Sequence, residues 1–299
     1  MLELREVPAG QLSARTADTV ARVAQRGVTY RYRDADVARA QSEQLAAKDT
    51  SAFLDVVESG SVVGTVWLGS DGDELGLYEL TLDDPAWAEE LVPLLEAIGH
   101  ERGARMIGVG VYPGQLAHQA LADLPGFTLR ATNMALDLDG EIGDPGSLVL
   151  EAMTQPEFDA FMSDEVEGFA QELAAAGTEL ETARERSRAM MGELVPSGMS
   201  SPGMEFHAAR VDGETVGALW LSTGETMAFV YNIEVRPEHR RRGYGAAIMN
   251  AAAIHCREAG HPVLGLNVFA HNPGARALYD KLGYRVTHDF SALDLSGAG

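Results

Sequence analysis

Positive charge, cysteine and long apolar runs are what this 299-residue chain has least of. Its 23 basic residues stand against 45 acidic ones, for a net charge of −22, and Lys48 and Lys281 are the only lysines. So acidic a chain repels polyanions, which argues against non-specific nucleic-acid binding, and it attracts cationic partners over long range. The one cysteine, Cys256, excludes an intrachain disulfide and suits a reducing, cytoplasmic setting. It reads as a small packed helix residue. No apolar run approaches the ~18 residues that span a bilayer, and residues 1–6 carry charge rather than an apolar leader core, so neither membrane insertion nor export is expected. What is present is ordinary for a globular protein: 45% hydrophobic and 23% charged residues, with length for two domains.

Against that acidic background, Arg236, Arg240, Arg241 and Arg242 lie within seven positions, followed by Gly243 and Gly245. The β-rich run Phe229 to Val235 precedes them and an alanine-rich helix, about 245–258, follows. Strand, glycine turn and helix N-terminus make an anion cradle. Glycine permits positive φ and close backbone approach, the first helical N–H groups lack intrahelical partners, and the macrodipole favours negative charge there. A pyrophosphate fits. Further on, Gly265 to Phe269 reads as a strand, Asn272-Pro273 as the opening of a helix, and Gly283 as its C-terminal stop, with a strand from Tyr284.

These two motifs, V-x-P with R-R-R-G-Y-G-A and then N-x-x-A-x-x-L-Y-x-x-L-G-Y, resemble the Gcn5-related N-acetyltransferase (GNAT) superfamily over about residues 205–290. The resemblance implies acetyl-CoA as cosubstrate and transfer to an amine without metal or covalent intermediate. Ile233 to Val235 would pair their backbone with the pantetheine arm. Arg240, Arg241, Arg242, Gly243, Tyr244, Gly245 and Ala246 would hold the pyrophosphate, mostly through N–H groups. Asn272 would contact the cofactor, and Tyr279 would protonate the leaving thiolate.

The first half of the chain echoes the second. Residues 63–68 (V-G-T-V-W-L) precede 216–221 (V-G-A-L-W-L) by 153 positions, and Tyr78 precedes Tyr231 by the same offset. Later the offset is 157: Gly126-Phe127 matches Gly283-Tyr284, and residues 135–138 (A-L-D-L) match 292–295. Two tandem copies of one α/β fold follow, each a mixed, mainly antiparallel sheet flanked by helices. The Gly- and Pro-rich stretch 139–147 divides them into domains 1–142 and 148–299. Where the second copy has its arginine–glycine turn, the first has Asp83, Asp84, Glu89 and Glu90 with no glycine, and Ala122 stands in the place of Tyr279. The first copy therefore reads as a degenerate, scaffolding one, with Trp67 and Trp220 as core residues.

The acceptor wall is expected in residues 157–200. Phe158, Phe161, Met162, Val166, Phe169 and Leu173 recur at helical spacing as core. Asp164, Glu165 and Glu167 are either a solvated face or a pocket for a cation. Thr178 with Glu181 forms a capping box for a second helix, and residues 194–203 are either a lid or a connector. An alkylammonium must lose its proton before attack, so a base is required. Asn267 occupies the strand position where ribosomal-protein N-terminal acetyltransferases of the superfamily often carry glutamate, and Val230 and Asn232 stand where small-amine enzymes use a carboxylate. Glu234 is the nearest carboxylate, and a water chain is the other route. The favoured activity is N-acetylation of a small-molecule amine by a monomer or homodimer. Alternatives are acetylation of a cysteinyl amine in the manner of mycothiol synthase, protein N-terminal acetylation, or non-catalytic acyl-CoA binding.

Overall fold

A computed structural model describes residues 1–29, 34–175, 179–224 and 227–295. The element order β-α-α-β-β-β-α-β-α-β occurs twice. In the first copy it runs β1 (Leu2–Glu6), α1 (Ala9–Gly27), α2 (Ala35–Ala46), β2 (Ala52–Glu58), β3 (Ser61–Asp71), β4 (Glu74–Leu82), α3 (Ala88–Glu101), β5 (Met106–Val111), α4 (Leu116–Ala122) and β6 (Phe127–Asp137). In the second it runs β7 (Val149–Ala152), α5 (Gln155–Ala175), α6 (Leu180–Leu194), β8 (Met204–Val211), β9 (Glu214–Ser222), β10 (Ala228–Val235), α7 (Tyr244–Glu258), β11 (Val263–Phe269), α8 (Pro273–Lys281) and β12 (Arg285–Asp294). The sequence repeat is thus a repeat of secondary structure, and the motif-bearing elements of the second copy fall within one or two residues of their expected bounds.

The chain divides into two compact units that are not contiguous in sequence. The first holds residues 1–135, 267–277 and the stretch from 285; the second holds 136–266 and 278–284. In the first unit the strands run β1-β2-β3-β4-β5-β12-β6, antiparallel except for β4 with β5. β12, the last strand of the second sequence copy, lies hydrogen-bonded between β5 and β6. Its pairing with β6 has a symmetry that follows from the repeat. Arg285 pairs with Ala135 and Ala292 with Thr128, and each pair becomes the other when repeat-equivalent residues are exchanged. The core of this unit collects Leu68, Leu75, Leu91, Leu95, Ile107 and Leu121, each fully buried, with Leu293 and Leu295 packed among them.

The second unit orders its strands β7-β8-β9-β10-β11, again antiparallel except for the last pair. Phe158 and Phe161 of α5 meet Phe206 and Trp220 of the sheet in one aromatic core, the Phe158 and Phe206 rings edge-to-face at 4.7 Å. Trp67 and Trp220 are both essentially inaccessible, as the strand pattern implies. Cys256 is fully buried on α7. Thr178, expected to cap α6, lies outside the described residues; the carboxylate of Glu179 accepts the Thr182 N–H at 2.9 Å and does the capping. Residues 194–203 form a hydrogen-bonded connector, with the buried Ser201 hydroxyl accepting from the Ser197 N–H and donating to the Gly198 carbonyl. No described helix is long and apolar enough to cross a membrane.

Candidate active site

The same irregularity is built into β4 and β10. The antiparallel register of β10 on β9 slips between Val230 and Asn232, leaving Tyr231 as a bulge, and that of β4 on β3 slips between Leu77 and Glu79, leaving Tyr78. In each case the parallel ladder stops just before the tyrosine, at Val230 with Leu266 and at Leu77 with Val109. Beyond the bulge the strand edge is released. This explains why Tyr78 and Tyr231 keep the repeat offset. Leu80 and Ile233 occupy the same register against Val66 and Leu219, so the Ile233 N–H, like that of Leu80, points away from its antiparallel neighbour. Ile233 and Val235 therefore point their N–H groups to the edge that β11 leaves beyond Val230, and both are half-buried.

The turn that follows has the backbone of an anion nest. Arg241 has φ of 63° and Gly243, the N-cap of α7, has φ of 87°. The helical hydrogen bonds begin with the Ala247 N–H on the Gly243 carbonyl. No side chain caps the helix, and the N–H groups of Tyr244, Gly245 and Ala246 find no backbone acceptor among the described residues. Orphan donors at the positive end of a 15-residue helix suit a diphosphate. The Arg240, Arg241 and Arg242 side chains are exposed, and Arg240 folds back so that Nε donates to the Val235 carbonyl at 3.0 Å. A Cβ on Gly245 would lie 3.2 Å from Leu278 Cδ2, so this glycine serves close packing of α7 against α8.

Tyr279 on α8 is buried, with 6% of its surface exposed, and burial raises its phenol pKa above the usual value. It is therefore held protonated at neutral pH, the state a proton donor needs. Asn272 uses its side-chain oxygen to accept the Ala275 N–H at 3.1 Å, capping α8, and it belongs with the first unit.

Side chains of Asn232 and Glu234 alternate with those of Ile233 and Val235 and share a face of β10. Asn232 Nδ2 donates to Glu165 Oε1 on α5. Glu165, one of the carboxylates expected on a solvated face or in a cation pocket, is half-buried against the strand. Burial is the main cause that raises its pKa, to about 7; the Asn232 hydrogen bond opposes it, while Glu234, Asp164 and Glu172 add repulsion. Its neighbour Glu167 does stay outside, paired with Arg184 at 2.9 Å. A cavity of about 490 Å³ opens on the α5 face of this sheet, lined by Glu157, Asp164, Glu234 and Glu238 with Arg236 and Phe161. Glu157 is taken up by Arg210 at 2.5 Å, which leaves three carboxylates to one arginine. In the sequence Glu165 stands only as one of three carboxylates, with Asp164 and Glu167, of a solvated face or a cation pocket, and not as a base.

A split parallel pair, a strand bulge and a glycine-capped helix N-terminus thus occur together in the second unit. A family model described as "Acetyltransferase (GNAT) family" matches residues 168–284. The uncharacterized N-acetyltransferase YdgE of Bacillus subtilis is 34% identical over 148 residues, covering 48% of this chain and 94% of that protein. A mycothiol acetyltransferase of Clavibacter sepedonicus is 26% identical over 240 residues, 73% of this chain and 75% of the other. The crystal structure of a GCN5-related N-acetyltransferase from Sphaerobacter thermophilus superposes with a TM-score of 0.57 at 16% identity, covering 98% and 96% of the two chains. The chain belongs to the GNAT family of acetyltransferases, in a tandem form.

Proposed function

We propose that the second copy transfers the acetyl group of acetyl-CoA to the amine of a small cationic molecule, by direct attack with both substrates bound. The observation that carries this reading is the Glu165 carboxyl, half-buried beside Asn232, with a pKa near the pH at which it would work; Asp164 and Glu234, whose charges act on it, line the acidic cavity. An ammonium group is drawn in by Asp164, Glu234 and Glu238 and gives its proton to Glu165. The free amine attacks the thioester carbonyl carbon; the C–N bond forms as the C–S bond breaks. The leaving sulfur takes its proton from the Tyr279 hydroxyl. The N–H groups of Ile233 and Val235 hold the pantetheine arm, and the nest from Arg240 to Ala246 holds the diphosphate. Glu234 shares the cavity and is assigned to attracting the cation, with Glu165 taking the proton.

A second acceptor has one observation in its favour. The similarity to a mycothiol acetyltransferase spans 240 residues and so reaches into both copies. An amine on a mycothiol precursor is thus the first specific acceptor to try. The test is release of free thiol from acetyl-CoA with a panel of amines, that precursor and an N-terminal peptide included. Thiol release with small amines supports the proposal; release only with the peptide would replace it, and binding of acetyl-CoA with no transfer to any acceptor would make the protein a binder.

A further inference from the structure

At the far end of α7 from the nest, three metal-ligating side chains of the second unit converge on one point. Glu205 and His207 lie two residues apart on one face of β8, and His255 reaches them from the last turn of α7. His255 Nε2 lies 2.6 Å and His207 Nε2 3.1 Å from the same carboxylate oxygen, Glu205 Oε2. One ligand atom from each falls within 4.8 Å of the other two. The second carboxylate oxygen is occupied by the Thr223 hydroxyl at 2.6 Å, which fixes how Glu205 presents the first. Such outer-shell bonds are what orient metal ligands.

We propose that Glu205, His207 and His255 bind a divalent transition-metal ion, zinc by preference, one per chain. Two imidazoles and one carboxylate are a borderline donor set suited to zinc, and three protein ligands leave a fourth position for water. With metal–ligand bonds of about 2.0–2.2 Å in tetrahedral geometry the donor atoms sit about 3.4 Å apart. To reach that spacing from the carboxylate oxygen, the His207 nitrogen need move about 0.3 Å and the His255 nitrogen about 0.8 Å, by an order-of-magnitude estimate. His255 has the freedom to do so, since 38% of its side chain is exposed. Glu205 brings a carboxylate to the cluster in a chain of net charge −22, so a cation is favoured on electrostatic grounds. His255 lies eleven residues beyond the start of α7, about 16 Å along the helix axis. The site is therefore separate from the diphosphate nest, and its role is to tie the C-terminal end of α7 to β8.

The probe is the metal alone. Chelator-stripped protein titrated calorimetrically with zinc should bind one equivalent saturably, and cobalt(II) should give the visible absorption of a tetrahedral site. Thermal unfolding should shift upward by several degrees with excess zinc. Loss of an outer-shell partner alone weakens metal affinity about 10- to 100-fold, so His255→Gln, which removes a ligand, should weaken it by at least that much. His255 is partly exposed near a helix end, so this variant should fold; an unchanged circular dichroism spectrum confirms it. His100→Gln, an exposed histidine outside the cluster, should bind zinc as the wild type does. The proposal is overturned if the wild type binds no zinc, or if His255→Gln binds it with unchanged affinity.

Discussion

The two copies diverge most where their strands release. In the first, beyond Tyr78, the His118 imidazole of α4 fills the gap: Nε2 accepts the Leu80 N–H and Nδ1 donates to the Gly110 carbonyl, both at 2.7 Å. In the second, the residue at the same place in the repeat is Ala275, whose side chain has no polar atom, and among the described residues no side chain accepts the Ile233 N–H. Polarity is also reversed on the helix-facing side. The first copy has Glu79 on the strand, neutralised by Arg26 at 2.5 Å and Arg22 at 3.3 Å from α1. The second has neutral Asn232 on the strand and a carboxylate, Glu165, on the helix. At the next helix, Asp84 accepts the Ala86 N–H while Glu89 and Glu90 fill the first turn of α3, whereas α7 is capped by Gly243 alone. One framework thus supports two outcomes. A closed ion pair and a plugged edge stabilise; an unneutralised carboxylate and an open edge leave chemistry available.

The sharpest break of that comparison lies at the reacting groups. Glu165→Gln should lower kcat/KM for the amine by a factor on the order of 10² to 10⁴, the usual contribution of a general base, with acetyl-CoA affinity preserved. Wild-type kcat/KM should rise as pH passes up through about 7, where Glu165 loses its proton, and the variant should lose that rise. Equal pH profiles would remove Glu165 from the proton path. Tyr279→Phe should cost kcat and kcat/KM alike, again by about 10²- to 10⁴-fold. Unchanged kcat would leave thiolate protonation to water.

Cofactor binding is the next contrast. Calorimetry should find one acetyl-CoA per chain; two would mean that the His118 plug and the acidic α3 terminus do not close the first copy. Gly243→Val forces a branched side chain to a φ of 87° and Gly245→Val pushes into Leu278. Each should weaken acetyl-CoA binding by about 100-fold, a loss of nearly 3 kcal/mol. Arg242→Ala, at an exposed and screened charge, should cost no more than a fewfold. Comparable losses for all three would assign the phosphate contact to side chains.

Motifs were legible because they are local. The glycine turn, the Asn272-Pro273 start and the short segments matched in the repeat are each contiguous patterns, and each falls on the element expected of it. The register in which β12 pairs with β5 and β6 is set by contacts 150 or more residues apart, and no local pattern encodes it. Glu165 was hidden for a related reason: its neighbours Asp164 and Glu167 are acidic too, and only packing against Asn232, 67 residues away, singles it out. His118 reads as one polar residue on a short helix until both ring nitrogens are found bonded to strands.

The smallest expected effect tests His118 itself. Burial is the main cause that lowers its pKa, to about 4 from 6.5, with Arg26 adding to it; the Gly110 hydrogen bond and Glu79 oppose. The folded protein keeps the ring neutral, while the unfolded chain takes up a proton as pH falls below about 6.5. This contribution to stability is therefore complete above pH 6.5 and is lost as pH falls toward 4. Between pH 7.5 and 5.5 the loss is on the order of 1 kcal/mol. Other groups titrate over the same range, so the informative quantity is the difference between proteins. His118→Gln removes the ionisation and, with its amide, still offers a donor and an acceptor. Its unfolding free energy, from urea titrations at the two pH values, should fall less than that of the wild type by about that 1 kcal/mol. Parallel losses in the two proteins would show that His118 ionises freely in the folded state and does not plug the strand edge.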